Sequence, residues 1–211
     1  MSADFSALSK VQIILVGHTP FKFRRLRKLV ENSIESKPLR IVTVFNGSKG
    51  EPCDLHTEND LQMRDVGMYR TGLDFLNSQD HVICLNDDVE YIAPGALEMI
   101  AAKLNAGADM VGAQPNLSHW IVFKNLSQKQ ALFHKHKGRA LRFVRTSAFG
   151  CTRKYFETLF SKIRSAQEFE KGTMQLMPAY KIEFLEKYDL IYDGNIAEFI
   201  PNYQAATQSE K

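Results

Sequence analysis

Two short, almost wholly apolar runs constrain the fold more than any other feature of this chain. Val11-Gln-Ile-Ile-Leu-Val-Gly17 and Arg40-Ile-Val-Thr-Val-Phe45 are rich in β-branched residues, and each closes on a turn signal. Runs this short read as strands buried on both faces. Between them Pro20 fits a helix entry, and Leu26, Leu29, Val30 and Ile34 fall on one helical stripe over residues 24–36, which Pro38 stops. Strand, helix and strand within 48 residues make a βαβ unit with parallel strands and a right-handed crossover. All-α, all-β and fibrous architectures are excluded from the start.

The pattern continues in the same style. Residues 49–60 are polar and turn-rich and read as a loop. Met63, Val66, Tyr69, Leu73 and Leu76 predict a helix over 61–77, and His81-Val-Ile-Cys-Leu85 a third buried strand. Pro94-Gly95 opens a helix over 96–104, and residues 109–113 form a fourth strand. The second half is less regular. Strands are expected at 120–123, 141–144 and 190–192, and helices at 156–163 and 179–188. The fold class is α/β, a mixed central sheet flanked by helices, in a single domain over 1–211. Residues 11–115 form one half, 116–203 the other, and 204–211 a polar tail.

Composition agrees with a soluble globular chain. Of the 211 residues 44% are apolar and 24% charged. No run approaches the ~20 apolar residues of a membrane-spanning helix. The first ten residues are too polar for a signal peptide, so a cytoplasmic protein is expected. Cys53, Cys84 and Cys151 are widely spaced and form neither a disulfide framework nor a zinc pattern. Lys+Arg 27 against Asp+Glu 24 gives +3, too little to argue for nucleic acid. The charge is nevertheless skewed: residues 110–156 hold nine basic residues and no acidic one.

Asn86-Asp87-Asp88 follows the third long strand directly. Adjacent carboxylates repel, so this arrangement needs compensation. At strand carboxyl ends, where open α/β sheets bind ligands, such a pair suits a hard cation that shares substrate phosphates. It equally suits a turn or a helix cap.

The run of buried strand, Asn-x-Asp-Val, Tyr-Ile-Ala-Pro-Gly-Ala-Leu and amphipathic helix resembles the family-2-like GT-A glycosyltransferases. Gly67-Met-Tyr-Arg70-Thr-Gly72-Leu73, Arg142-Phe-Val-Arg-Thr-Ser-Ala-Phe149 and Tyr155-Phe-Glu-Thr-Leu159 are similar to later family segments in the same order. The resemblance spans residues 11–160 and implies a GT-A fold, with a nucleotide-sugar-binding half followed by an acceptor-side half. It implies a metal-dependent, inverting transfer of a sugar from a nucleoside-diphosphate sugar to an acceptor hydroxyl, with Mn²⁺ or Mg²⁺ as cofactor. The acceptor would be a saccharide or a protein-linked glycan; no nucleic-acid partner and no membrane span are implied.

Residue by residue, the resemblance makes Asp88 the metal ligand. Asn86, where many members carry Asp, would contact the ribose or hold a water, and Asp87 would face the sugar. His18, Thr19 and Asn46 would line the nucleobase side, with Arg70 near the base or phosphates. His119 and Trp120 would serve the acceptor. The catalytic base would be Glu168 or Glu170, in a segment that matches the family poorly. Two other readings compete. A sugar-phosphate nucleotidyltransferase should carry a Gly-rich, Arg-containing loop where this chain reads Gly17-His-Thr-Pro-Phe-Lys-Phe-Arg-Arg. A non-catalytic module could bind anions or nucleic acid through residues 124–154. Walker and dinucleotide-binding glycine motifs are absent.

Overall fold

The computed structural model describes residues 7–38, 40–47, 50–58, 64–76, 81–113, 144–161, 163, 165, 168–169, 172–173, 180–185 and 190–193. After a short 3-10 turn, Ala7–Lys10, the chain forms β1 (Val11–Gly17), α1 (Pro20–Ser33), β2 (Arg40–Asn46), β3 (Leu55–Thr57) and α2 (Arg64–Phe75). β4 (His81–Asn86), β5 (Val89–Ile92), α3 (Ala96–Asn105) and β6 (Met110–Gly112) follow. The described part of the second half contributes β7 (Ala148–Thr152), α4 (Arg153–Phe160), β8 (Ile182–Phe184) and β9 (Ile191–Asp193).

Seven strands form the main sheet in the order β3-β2-β1-β4-β7-β6-β8, and β5 pairs with β9 in a second ribbon. β1 is parallel to β2 and to β4, whereas β7 runs antiparallel to both β4 and β6. The sheet is thus parallel in its first half and mixed in its second, as the sequence implies.

Alternation along β1 builds two cores. Ile13 and Leu15 pack on one face with Phe23, Leu26 and Val30 of α1 and Leu97, Ile100 and Leu104 of α3. Ile14 and Val16 pack on the other with Tyr69 and Leu73 of α2 and Tyr155 and Phe156 of α4. Every residue of β1 is buried, which explains why its sequence is a continuous apolar run rather than an alternating one. Cys84 and Cys151 are buried free thiols within the second core.

Several boundaries differ from the sequence expectation. The apolar stripe is legible only from residue 24, but α1 begins at Pro20, the expected helix entry: proline fits the first helical position, where its missing N–H costs nothing. The expected helix over 179–188 is wrong in the part described: Ile182–Phe184 is a strand, parallel to β6 with Met110 opposite Ile182. Helix propensities there differ by no more than about 0.7 kcal/mol per residue, so ladder bonding and the packing of Ile182 and Phe184 against the second core decide. Of the strand expected at 141–144 only Val144 lies within the described residues, buried and outside any strand; Ala148–Thr152 forms a strand that the sequence reading did not single out. The last helix starts at Arg153, capped by the Thr152 hydroxyl, which accepts from Tyr155 N. The short strands β3 and β5 lack the length that would mark them in sequence. The strand expected at 120–123 falls outside the described residues.

Candidate functional site

The chain moves outward from β1 to β2 to β3, then returns to lay β4 on the other side of β1. Such a reversal opens a crevice outside the carboxyl ends of the two central strands. The β1–α1 loop, with His18 and Thr19, leaves one of these ends. Asn86 ends the other, in register with Val16. Asn46 ends β2 on the same edge, beside Thr57 of β3. The fold thus brings His18, Thr19, Asn46 and Asn86-Asp87-Asp88 together.

Within the triplet the three side chains do different things. Asn86 is 2% exposed. Its Nδ2 donates to Asp65 Oδ2 at 2.7 Å, and its Oδ1 accepts from Asp88 N at 3.1 Å. Its backbone N–H donates to Ser147 O at 2.9 Å, tying β4 to the segment before β7. The Asn86 amide is therefore engaged inside the protein rather than presented to a ribose.

Asp87 is fully buried. Its Oδ2 accepts from the backbone N–H groups of His18 at 3.0 Å and Thr19 at 2.9 Å. These donors lie at the start of α1, where the helix dipole favours an anion. His18 Nδ1 stands 3.4 Å from Oδ1, an ion-pair contact when the imidazole is protonated. Asp87 thus fastens the β1–α1 loop to the end of β4. It does not face outward toward a sugar, as the resemblance implies; burial of a carboxylate is tolerable only with partners of this kind.

Asp88 is the outward-facing carboxylate. Its Oδ1 is 2.9 Å from Lys22 Nζ, and the two side chains are 32% and 42% exposed. An ion pair this open contributes about 0–1 kcal/mol. The bond from Asp88 raises the Lys22 ammonium above its ordinary pKa, against a smaller opposing effect of burial.

Two residues of this constellation carry no sequence signal that would single them out. Lys22 sits on the first turn of α1, where nothing local distinguishes it from the other Lys and Arg residues of that helix. Asp65, on the first turn of α2, lies 21 residues before its partner Asn86. Its carboxyl is deeply placed although the residue as a whole is half-buried, and burial pushes its pKa up to about 6. The bond from Asn86 works against that rise, and the charges of Asp88 and Asp87 add to it.

Two glycines set the spacing. A Cβ on Gly17 would stand 2.6 Å from Phe23 Cδ2, and one on Gly72 2.7 Å from Ile14 Cγ2. α1 and α2 can lie this close to β1 only because these positions have no side chain. Tyr69, also on α2, donates its hydroxyl to Thr146 O at 2.8 Å and so helps place the segment that Asn86 binds.

Of the remaining expected site residues only Arg70 and Glu168 are described. Arg70 is exposed on α2, five residues beyond Asp65 and so about 7.5 Å further along the helix axis. Glu168 is exposed in a short helical turn, its N–H donating to Ser165 Oγ at 3.2 Å. Glu170, His119 and Trp120 fall outside the described residues, as does most of the acid-free stretch 110–156.

A divalent cation fits this donor set in one way. Asp88 supplies a hard carboxylate oxygen that already holds a positive group, and hard cations accept one or two carboxylates when phosphates complete the shell. Among the described residues no group of three or more His, Cys, Asp or Glu could hold a metal by itself.

Solved structures share this architecture. Glucosyl-3-phosphoglycerate synthase from Mycobacterium tuberculosis, in complex with Mn²⁺, UDP and phosphoglyceric acid, superposes with a TM-score of 0.64 at 11% identity, covering 99% of this chain and 77% of that one. The same enzyme with Mn²⁺ and UDP-glucose gives 0.63 at 11% identity, covering 99% and 78%. With Mg²⁺ and UDP it gives 0.62 at 10% identity, covering 96% and 78%. This chain has the GT-A fold. No protein-family model and no curated protein matches its sequence. Among the described residues, no helix is long and apolar enough to cross a membrane.

Proposed function

We propose that this chain is a metal-dependent glycosyltransferase that moves a sugar from a nucleoside-diphosphate sugar to an acceptor hydroxyl. The observation that carries the reading is the solvent-accessible Asp88 at the switch point of a GT-A sheet, beside a fully buried neighbour, Asp87, whose Oδ2 is bonded to the β1–α1 loop. Structures of the same fold hold UDP or UDP-glucose with Mn²⁺ or Mg²⁺.

In this reading Asp88 holds a Mn²⁺ or Mg²⁺ ion together with the donor diphosphate. The ion supplies Lewis acidity to the departing nucleoside diphosphate. Asn86 and Asp87 act behind Asp88: one fixes its backbone N–H, the other fixes the loop opposite. His18, Thr19 and Asn46 line the nucleoside side, and Arg70 borders the donor. Inversion needs a carboxylate base across the anomeric carbon from the leaving group. Glu168 is the described candidate and Glu170 its alternative; the anomeric proton coupling of the product reads the stereochemical course. His119 and Trp120 belong to the acceptor side. The acceptor is a saccharide or a protein-linked glycan. The nine basic residues of 110–156 would also suit an acceptor bearing negative charge, and neighbours of this fold hold phosphoglyceric acid.

The reading is tested by calorimetry with UDP-, GDP- and dTDP-sugars, each with and without Mn²⁺. Metal-dependent binding of one of them is expected. Absence of metal-dependent binding to all of them sinks the transferase, and salt-sensitive RNA binding in its place would favour a binding module.

A further inference from the structure

We infer that Lys22 is a built-in counter-ion that holds Asp88 until a diphosphate arrives, so that the cation binds with the nucleotide and not before it. The inference rests on the transferase reading above and concerns the order of binding at its site.

Four observations point the same way. Lys22 Nζ lies 2.9 Å from Asp88 Oδ1, one of the two oxygens through which Asp88 would hold a divalent cation. The contact is 42% and 32% exposed, so water and ligands reach it and it is readily exchanged. Both ends are rigidly delivered. Asp87 pins His18 and Thr19, the residues that open α1, three positions before Lys22, and Asn86 Oδ1 holds the Asp88 backbone N–H. The turn therefore places the carboxylate, and the first turn of α1 places the ammonium. Lastly, the described residues hold no cluster of three metal-ligating side chains, so Asp88 needs further oxygen ligands from elsewhere.

The consequence follows from charge. With Lys22 bound, Asp88 is neutralised, and a dication approaching it alone meets an ammonium with little carboxylate charge to compensate. A nucleoside diphosphate brings its own negative charge. Lys22 can then move to a phosphate oxygen, and Asp88 and the phosphates share the cation. The same ammonium, next to the phosphates, stabilises the negative charge of the departing diphosphate. No covalent bond changes in this exchange; one ion pair is traded for two.

The test reads Mn²⁺ binding rather than turnover. Free Mn²⁺ is followed by electron paramagnetic resonance for the wild-type chain, Lys22→Met, Lys22→Arg and Lys28→Met, each with and without UDP. Lys28, exposed on the same helix, controls for a general loss of one positive charge. Thermal melts check that each variant is folded. For the wild type, weak Mn²⁺ binding alone and a gain of more than about tenfold with UDP are expected. Lys22→Met should bind Mn²⁺ alone about tenfold more tightly and show a smaller gain from UDP. Lys22→Arg should keep the wild-type pattern and Lys28→Met should leave it unchanged. Equal Mn²⁺ affinity in Lys22→Met and the wild type without UDP overturns the inference, and so does an equal gain in Lys28→Met. Failure of UDP, and of GDP and dTDP in its place, to bind any of these proteins overturns the transferase reading instead, while the metal-only arm still decides the role of Lys22.

Discussion

The inner and outer sides of the β4–β5 turn carry the same functional group in opposite settings. On the inside Asp87 is fully buried, and one of its oxygens takes two backbone N–H bonds from the start of α1. On the outside Asp88 is a third exposed and meets one partly exposed ammonium. Two adjacent carboxylates would repel, and the molecule resolves this by giving each its own positive partner. The difference teaches that adjacency in sequence says little about role. The buried acid is architecture, because removing it strands donors in the interior; the exposed acid is available for exchange, because its bond is worth little. A site that must accept and release a charged ligand needs both kinds.

The comparison can be broken most sharply at its inner side. Asp87→Ala leaves the N–H groups of His18 and Thr19 without their acceptor, and should cost about 3–4 kcal/mol in urea unfolding. A loss below about 1 kcal/mol would mean that Asp87 does not hold the loop.

Asp65 provides the next largest effect, with a distinctive pH signature. Its folded pKa of about 6 lies above the ordinary aspartate value, so the folded state binds a proton more tightly than the unfolded one. Stability from this group is present below the unfolded pKa near 4 and is lost as pH rises to about 6, by about 2–3 kcal/mol in total. Asp65→Asn should remove that slope between pH 4 and 7 and stabilise the chain at pH 8. Parallel pH profiles for the two proteins would show that burial does not raise the Asp65 carboxyl.

Gly17→Ala sharpens the comparison through geometry. The new methyl meets Phe23 at 2.6 Å, so the start of α1 must shift, at a cost of about 1–3 kcal/mol. Because α1 carries Lys22, this variant should also loosen nucleotide binding; unchanged stability would show that Phe23 gives way freely. The smallest effect on stability belongs to the outer side. Asp88→Asn should change unfolding by less than about 1 kcal/mol.

The central strands and the edge where the site lies were legible because parallel strands covered on both faces must be apolar throughout. The runs Val11–Gly17 and His81–Asn86 therefore announce themselves. The acidic triplet was legible as a site for the complementary reason: charges directly after a buried strand need a purpose. The division of labour within it was not, since two backbone N–H groups 69 and 68 residues away in sequence face Asp87, while the Asp88 carboxylate meets the Lys22 ammonium. Lys22 is one of several cations on α1 and its contact with Asp88 is tertiary, and Asp65 lies far in sequence from Asn86, so neither is marked locally. β8 was misread as helix because its edge pairing with β6 is a tertiary contact that local propensity does not encode.

The most direct test of the account is Mn²⁺-dependent UDP-sugar binding by Asp88→Asn, measured beside the wild type on protein whose melting has been checked. The account predicts a variant that unfolds like the wild type and has lost metal-dependent nucleotide binding. Undiminished metal-dependent binding in that variant would contradict it, since the outer carboxylate would then not be the anchor of the site.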